Sequence, residues 1–137
     1  MSDEAIQTFQ ETIWQHYARA GRHDLPWRLP ASAPDPYHIL VSELMLQQTQ
    51  VPRVIPKFQQ FLSVFPTVHD LAAAPLADVL RIWSGLGYNR RAKFLWQAAQ
   101  RIVTEHAGVT PADPKALVAL PGIGPNTAGA IIAYAYN

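Results

Sequence analysis

An all-α fold follows from three features of this 137-residue chain. Apolar residues recur at helical spacing through most of it, prolines and glycines fall at helix starts and stops, and no segment alternates apolar with polar residues as a strand would. With 49% hydrophobic and 15% charged residues, the chain has the apolar content of a domain with a packed core.

Ser2 caps a helix that runs to about Ala20, with Ile6, Phe9, Ile13 and Tyr17 on one face and Gly21 as its stop. From Gly21 to Asp35, Pro26, Pro30 and Pro34 favour an extended connector with Trp27 embedded in it. Asp35-Pro36 pairs a cap with a first-turn proline, and the helix from there to about Gln48 is apolar on nearly every side, so it should be the most buried. Helical patterns continue through 51–65, with a kink expected at Pro56, and through 67–73, 76–83 and 90–106. Pro66, Pro75 and the turn Gly85-Leu86-Gly87 separate them. Asp113-Pro114 opens a short helix ending near Leu120, and Pro125 starts a last helix that runs to the end. Small residues Thr127, Ala128, Gly129 and Ala130 imply close packing of that helix, while Ile131, Ile132, Tyr134 and Tyr136 offer apolar surface for self-association.

The absence of cysteine excludes disulfides, thiolate metal sites and cysteine-held iron–sulfur clusters within this stretch. The acidic start Met-Ser-Asp-Glu-Ala is unlike a targeting peptide, and no apolar run reaches the ~18 residues of a membrane span, so a cytoplasmic location with no membrane partner is expected. A net charge of +1 is too small to indicate nucleic acid. Its distribution is uneven, because Arg81, Arg90, Arg91, Lys93 and Arg101 lie between Asp78 and Glu105 with no acidic residue among them. That run reads equally as an anion-facing surface or as one solvated basic helix face.

Two stretches carry chemistry. In Pro121-Gly122-Ile123-Gly124 the glycines let the backbone turn sharply beside a helix amino terminus, presenting amides that accept a phosphate without a charged side chain. In Ser42-Glu43-Leu44-Met45-Leu46-Gln47-Gln48-Thr49-Gln50 a carboxylate sits among Ile39, Leu40, Val41, Leu44, Met45 and Leu46. A glutamate buried there loses hydration in its charged form and keeps its proton, as a general acid must. The same burial is also met by pairing with an arginine or by accepting backbone amides.

Leu-Pro-Gly-Ile-Gly followed by Thr-Ala resembles the helix-hairpin-helix DNA glycosylase superfamily. Glu-Leu-Met-Leu-Gln-Gln-Thr-Gln, preceded by Leu25-Pro26-Trp27-Arg28 and followed by Gly85-Leu86-Gly87-Tyr88, resembles the MutY-type adenine glycosylases over nearly the whole chain. The resemblance implies a helix-hairpin-helix glycosylase fold with a six-helix barrel subdomain and an incomplete second subdomain. Residues 22–137 would form the barrel core with the hairpin at 114–136, and residues 1–21 a helix packing on the second subdomain.

Carried over, the family's roles make Glu43 the acid that protonates an extruded adenine. Arg22 and Trp27 would lie at the adenine pocket, Gln48 and Tyr88 would form the wedge that fills the opened duplex, and Gln47 would join them in binding the substrate. Leu120, Gly122, Ile123, Gly124 and Thr127 would grip the DNA backbone, with a cation held by the main-chain carbonyls of Val118, Leu120 and Ile123. Trp27 is otherwise a core residue, and Tyr88 an aromatic packed under a glycine turn. Where related lyases place a Schiff-base lysine this chain has Asn126, which implies a monofunctional glycosylase with water as nucleophile.

The family's second catalytic carboxylate, its four-cysteine [4Fe-4S] segment and its oxidised-guanine recognition domain all lie beyond Asn137, so the stretch alone is expected to be inactive or nearly so. The expected partner is double-stranded DNA with adenine mispaired with oxidised guanine or guanine, in a bacterial, nucleoid-associated and usually monomeric protein. A thymine- or uracil-directed glycosylase on the same scaffold, and a non-catalytic DNA-binding module, are the alternatives.

Overall fold

The computed structural model describes residues 25–28 and 34–136. The expected helix at 2–20, Gly21 and Arg22 lie outside the described residues. Within them, one 3-10 turn, Pro26–Arg28, precedes seven helices, with no strand. These are α1 (Pro36–Leu46), α2 (Val51–Val64), α3 (Val68–Ala73), α4 (Leu76–Trp83), α5 (Asn89–Glu105), α6 (Pro114–Val118) and α7 (Pro125–Ala135).

Helix α1 starts where its sequence dictates. The Asp35 side chain accepts the Tyr37 amide at 2.9 Å, and Pro36 occupies a first-turn position where no N–H is needed. Seven of its eleven residues are buried. It is the central element, packed against the 3-10 turn, α2, α5 and α7. It stops two residues short of the expected end, because Gln48 turns into the left-handed region at φ 62°.

Helix α2 runs through Pro56 rather than ending there. Pro56 and Pro52, whose carbonyl the missing N–H leaves unbonded, are both on the exposed side, where water can satisfy that oxygen. The opposite side sends Val54, Phe58 and Phe61 into the core, the two rings contributing about 1.5–3 kcal/mol each by burial. Phe58 meets Trp27 edge-on at 5.3 Å, and Phe61 meets Trp83 at 6.2 Å. Where α2 ends, the Tyr37 hydroxyl donates to the Phe65 carbonyl at 2.7 Å and ties that end back to α1.

Thr67 and Asp70 cap α3 reciprocally, at 3.1 Å and 3.3 Å. Helix α5 lies against α3, α4 and α1 through Arg91, Ala92, Leu95, Ala98, Ala99 and Ile102, spaced at three and four residues. Trp96 donates to the Ala74 carbonyl at 2.8 Å, and Arg101 donates to Ala119 at 2.6 Å, which joins α5 to the end of α6.

Helices α6 and α7 form a hairpin whose apolar residues Leu117, Leu120, Ile123, Ala128 and Ile131 belong to the same core as α1. Helix α7 runs antiparallel to α1, since Gln47 beyond the end of α1 donates to Thr127 near the start of α7 at 3.2 Å, while Asp35 at the start of α1 lies by Tyr136.

Two expectations for α7 are corrected. Ile131 is fully buried against the core and Ile132 half-buried rather than offered for self-association, whereas Tyr134 and Tyr136 keep exposed surface as expected; Tyr134 lies beneath Arg28 at 4.1 Å, and Tyr136 donates its hydroxyl to the Thr110 carbonyl. Close packing is made by Ala128, whereas Gly129 faces open space.

Candidate functional site

Glu43 projects from the middle of α1, half-buried, with buried Ser42 and Leu44 on either side in sequence. Burial raises its carboxyl above the ordinary glutamate value of 4.5, and the Arg28 guanidinium pulls it back less strongly. The 3-10 turn positions that guanidinium by sinking Trp27 into the core, where it is 1% exposed. Trp27 is thus a core residue that fixes its neighbour Arg28, the plainer of its two expected readings.

One turn beyond Glu43, Gln47 and Gln48 leave the helix and meet the loop before α5. A groove of about 320 Å³ is lined by Gln47, Gln48, Tyr88, Arg91, Phe94 and Gly122, so it joins the glutamine turn, the Gly-Leu-Gly-Tyr loop and the hairpin. Arg90 also borders it. Tyr88 is 61% exposed, not packed under the glycine turn. It adopts a left-handed φ of 52°, reached after Gly85 at 96° and Gly87 at 76°, an arrangement a tyrosine tolerates only when neighbours hold it.

Arg91 is the holder. Its Nη1 donates to the carbonyls of Leu44 at 2.8 Å, Met45 at 3.0 Å and Gln47. Its Nη2 donates to Thr49 Oγ1 at 3.1 Å and to the Gly87 carbonyl at 3.2 Å. The guanidinium carbon lies 5.5 Å from the Trp83 ring centroid and 5.2 Å from that of Tyr88. One side chain thereby satisfies the terminal carbonyls of α1 and fastens them to the loop that carries Tyr88.

Arg91 corrects the reading of the cationic run as one solvated face. It is 8% exposed, while Arg81 pairs with Asp78 at 3.4 Å and Arg101 with Glu105 at 3.0 Å. Arg90 and Lys93 stay exposed. The signal for Arg91 lay in the sequence: it stands four residues before Leu95 and seven before Ala98, on the apolar stripe of its helix.

At the hairpin, Gly122 has φ 78°, and a β-carbon on it would lie 2.6 Å from that of Phe94. Leu120 and Ile123 bury their side chains, so only their main chains are available to a ligand. Gly124 occupies the position before α7 without a side-chain cap, and the first bond within the helix is from Ala128 N–H to the Gly124 carbonyl at 2.9 Å. The amides of Gly124, Asn126 and Thr127 therefore have no acceptor within the helix. Asn126 is exposed at this end and Thr127 accepts from Gln47.

Of the carbonyls expected to hold a cation, that of Leu120 accepts from Ile123 N–H at 3.3 Å and retains one lone pair, and exposed Val118 lies on the preceding turn. Among the described residues no group of three His, Asp or Glu side chains is placed to bind a metal. Arg22 lies outside the described residues.

A fold of this kind, with a left-handed glycine hairpin beside a glutamine turn and a half-buried acid, has a family. The model of the HhH-GPD superfamily of base excision DNA repair proteins matches residues 41–133, and the chain belongs to that family. It is similar to the adenine DNA glycosylase of Mycolicibacterium smegmatis, 47% identical over 133 residues that cover 97% of this chain and 44% of the relative. It is also similar to the adenine DNA glycosylase of Buchnera aphidicola subsp. Baizongia pistaciae, 40% identical over 129 residues that cover 94% of this chain and 36% of the relative. The chain thus spans roughly two fifths of the length of these relatives. Among solved structures, a thermostable thymine-DNA glycosylase superposes with a TM-score of 0.75 at 28% identity, covering 95% of this chain and 58% of that one. A non-covalent endonuclease III–DNA complex superposes at 0.72 with 20% identity, covering 99% and 61%, and shares the fold.

Proposed function

We propose that the protein excises adenine mispaired with oxidised guanine or guanine from double-stranded DNA, by hydrolysing the N-glycosidic bond. The observation that carries this reading is the raised pKa of the Glu43 carboxyl, one helical turn from a groove in which Gln48, Tyr88 and the hairpin glycine meet.

In this reading the hairpin holds the phosphate backbone through main-chain amides at the start of α7, and the carbonyls of Val118, Leu120 and Ile123 would hold a cation that adds positive charge there. Gln48 and Tyr88 occupy the space vacated by the extruded base, with Gln47 beside them at the substrate. Arg22 and Arg28 border the base, with Trp27 in the core behind Arg28. Glu43 then delivers its proton to the adenine ring as the C–N bond breaks, so that the bonding electrons leave with a neutral base. Water, oriented by Asn126, adds to the sugar and its surplus proton returns to the Glu43 carboxylate, so that an abasic site remains. Asparagine has no amine for a Schiff base, so the strand is not cut.

The adenine DNA glycosylases among the relatives support adenine over thymine or uracil as the base. The thymine-directed structural neighbour, at 28% identity, supports the alternative less strongly. Relatives of this type imply a [4Fe-4S] cluster, but this chain has no cysteine to hold one, and no step here depends on it. Among the described residues no helix is long and apolar enough to cross a membrane, and the adenine DNA glycosylases among the relatives support a cytoplasmic, nucleoid-associated protein.

The test is single-turnover base release by the full-length protein on duplexes bearing adenine, thymine or uracil opposite oxidised guanine or guanine. Adenine release that disappears in Glu43→Gln is expected. Untouched adenine with released thymine or uracil would transfer the assignment to the alternative.

A further inference from the structure

The two prongs of the proposed wedge come from elements far apart in sequence, the turn after α1 and the loop before α5, yet one buried guanidinium touches both. We infer that Arg91 is a positioning residue that makes Gln48 and Tyr88 a single rigid unit, so that they enter the duplex together. The inference rests on the proposed function, in which those two residues fill the space left by the base.

Three features of the geometry support it. First, neither prong is held by its own helix. Gln48 lies past the end of α1 at φ 62° and Tyr88 before the start of α5 at φ 52°, both outside regular structure and both left-handed without being glycine. Such residues relax to ordinary backbone angles unless neighbouring contacts fix them. Second, Arg91 supplies those contacts on both sides. Gln47 and Thr49, which flank Gln48, each bond to the guanidinium, as does the Gly87 carbonyl immediately before Tyr88. The Arg91 amide also donates to the Tyr88 carbonyl at 2.9 Å, and the guanidinium faces the Tyr88 ring. Third, Arg91 is desolvated for this task. Burial lowers its pKa, with Tyr88 acting the other way, and of its three guanidinium nitrogens Nε has no hydrogen-bond partner among the described residues. A lysine keeps the charge but has a single nitrogen, which cannot span both loops as the planar fork does.

The measurement is extrusion of 2-aminopurine, an adenine analogue that brightens on leaving the stack, from a duplex where it stands opposite oxidised guanine. The full-length protein is compared with Gln48→Ala, Tyr88→Ala and the double variant, first with Arg91 intact and then in Arg91→Lys. With Arg91 intact, each single change should lower the extrusion constant by about tenfold and the double change by scarcely more, because losing one prong disables the other. In Arg91→Lys the starting constant should fall by about tenfold, and the two alanine effects should multiply.

A merely structural Arg91 would lower the melting temperature and leave the coupling between the prongs unchanged. If Arg91→Lys does not fold, the cycle with Arg91 intact still decides: multiplying effects there overturn the inference, and coinciding effects sustain it. A wild-type protein that leaves the probe stacked overturns the wedge itself, whereas one that extrudes the probe with multiplying effects overturns only the coupling.

Discussion

Gly122 rests against Phe94 so closely that the α-hydrogen of the one and the β-carbon of the other are in contact; a β-carbon on Gly122 would lie 2.6 Å from that of Phe94. The hairpin is thereby seated directly on α5. Substitution Gly122→Ala meets two obstacles, the φ of 78°, which costs an alanine about 1–2 kcal/mol, and the clash with Phe94. We expect a loss of at least about 2 kcal/mol in urea unfolding, and a smaller loss when the same change is made in a Phe94→Gly background, since only glycine removes the β-carbon that is met. Equal losses with and without Phe94 would show that only the backbone angle matters.

Glu43→Gln should abolish base release by about a thousandfold or more while making the protein more stable at neutral pH. The sign follows from the raised pKa of the folded carboxyl. A group that holds its proton more tightly when folded contributes stability that is fully present below its unfolded value of about 4.5 and is lost as pH rises through the folded value. Wild-type melting temperature should therefore fall relative to Glu43→Gln across that interval. Parallel curves for the two proteins would remove the dry environment on which the acid role depends.

Asn126→Lys should give the protein a new activity. Asn126 is exposed at the start of α7, beside the hairpin, and the proposed function sets the sugar of bound DNA within reach of an amine there. Borohydride should trap a covalent adduct between this variant and an abasic duplex, and none with wild type. Failure to trap an adduct at any pH would place residue 126 away from the reacting carbon.

Lys93 and Arg90 should contribute to DNA affinity through phosphates, without base preference. Changing either to alanine should weaken binding uniformly across sequences and reduce the slope of log K against log salt by about 1. Arg81, which pairs with Asp78, is the control, and its alanine variant should leave the slope as it is.

How much of this was legible in the sequence depended on what each signal reports. Helix starts marked by Asp35-Pro36 and Asp113-Pro114 appear where expected, since the cap and the proline act within one turn. The burial of α1 followed from its composition. The end of that helix was not legible, because its last carbonyls accept hydrogen bonds from an arginine 45 residues beyond Leu46, a contact that no local pattern announces. Arg91 was hidden for the same reason: charge suggested solvent, while position on the apolar stripe pointed inward. On α7, the sequence alone did not separate buried Ile131 from half-buried Ile132, because which face meets α1 is set by the hairpin angle.

Enclosure of α1 also sets the order in which the molecule loosens. Its start is fastened by Asp35 and its last carbonyls by Arg91, and α2, α5 and α7 all pack against it, so no local fraying exposes its amides to water. Deuterium should reach the backbone of 40–45 only through whole-molecule opening, long after the exposed ends of α3 and α6 have exchanged. An acid placed on the last segment to breathe is one whose proton and pose survive every smaller fluctuation of the protein around it.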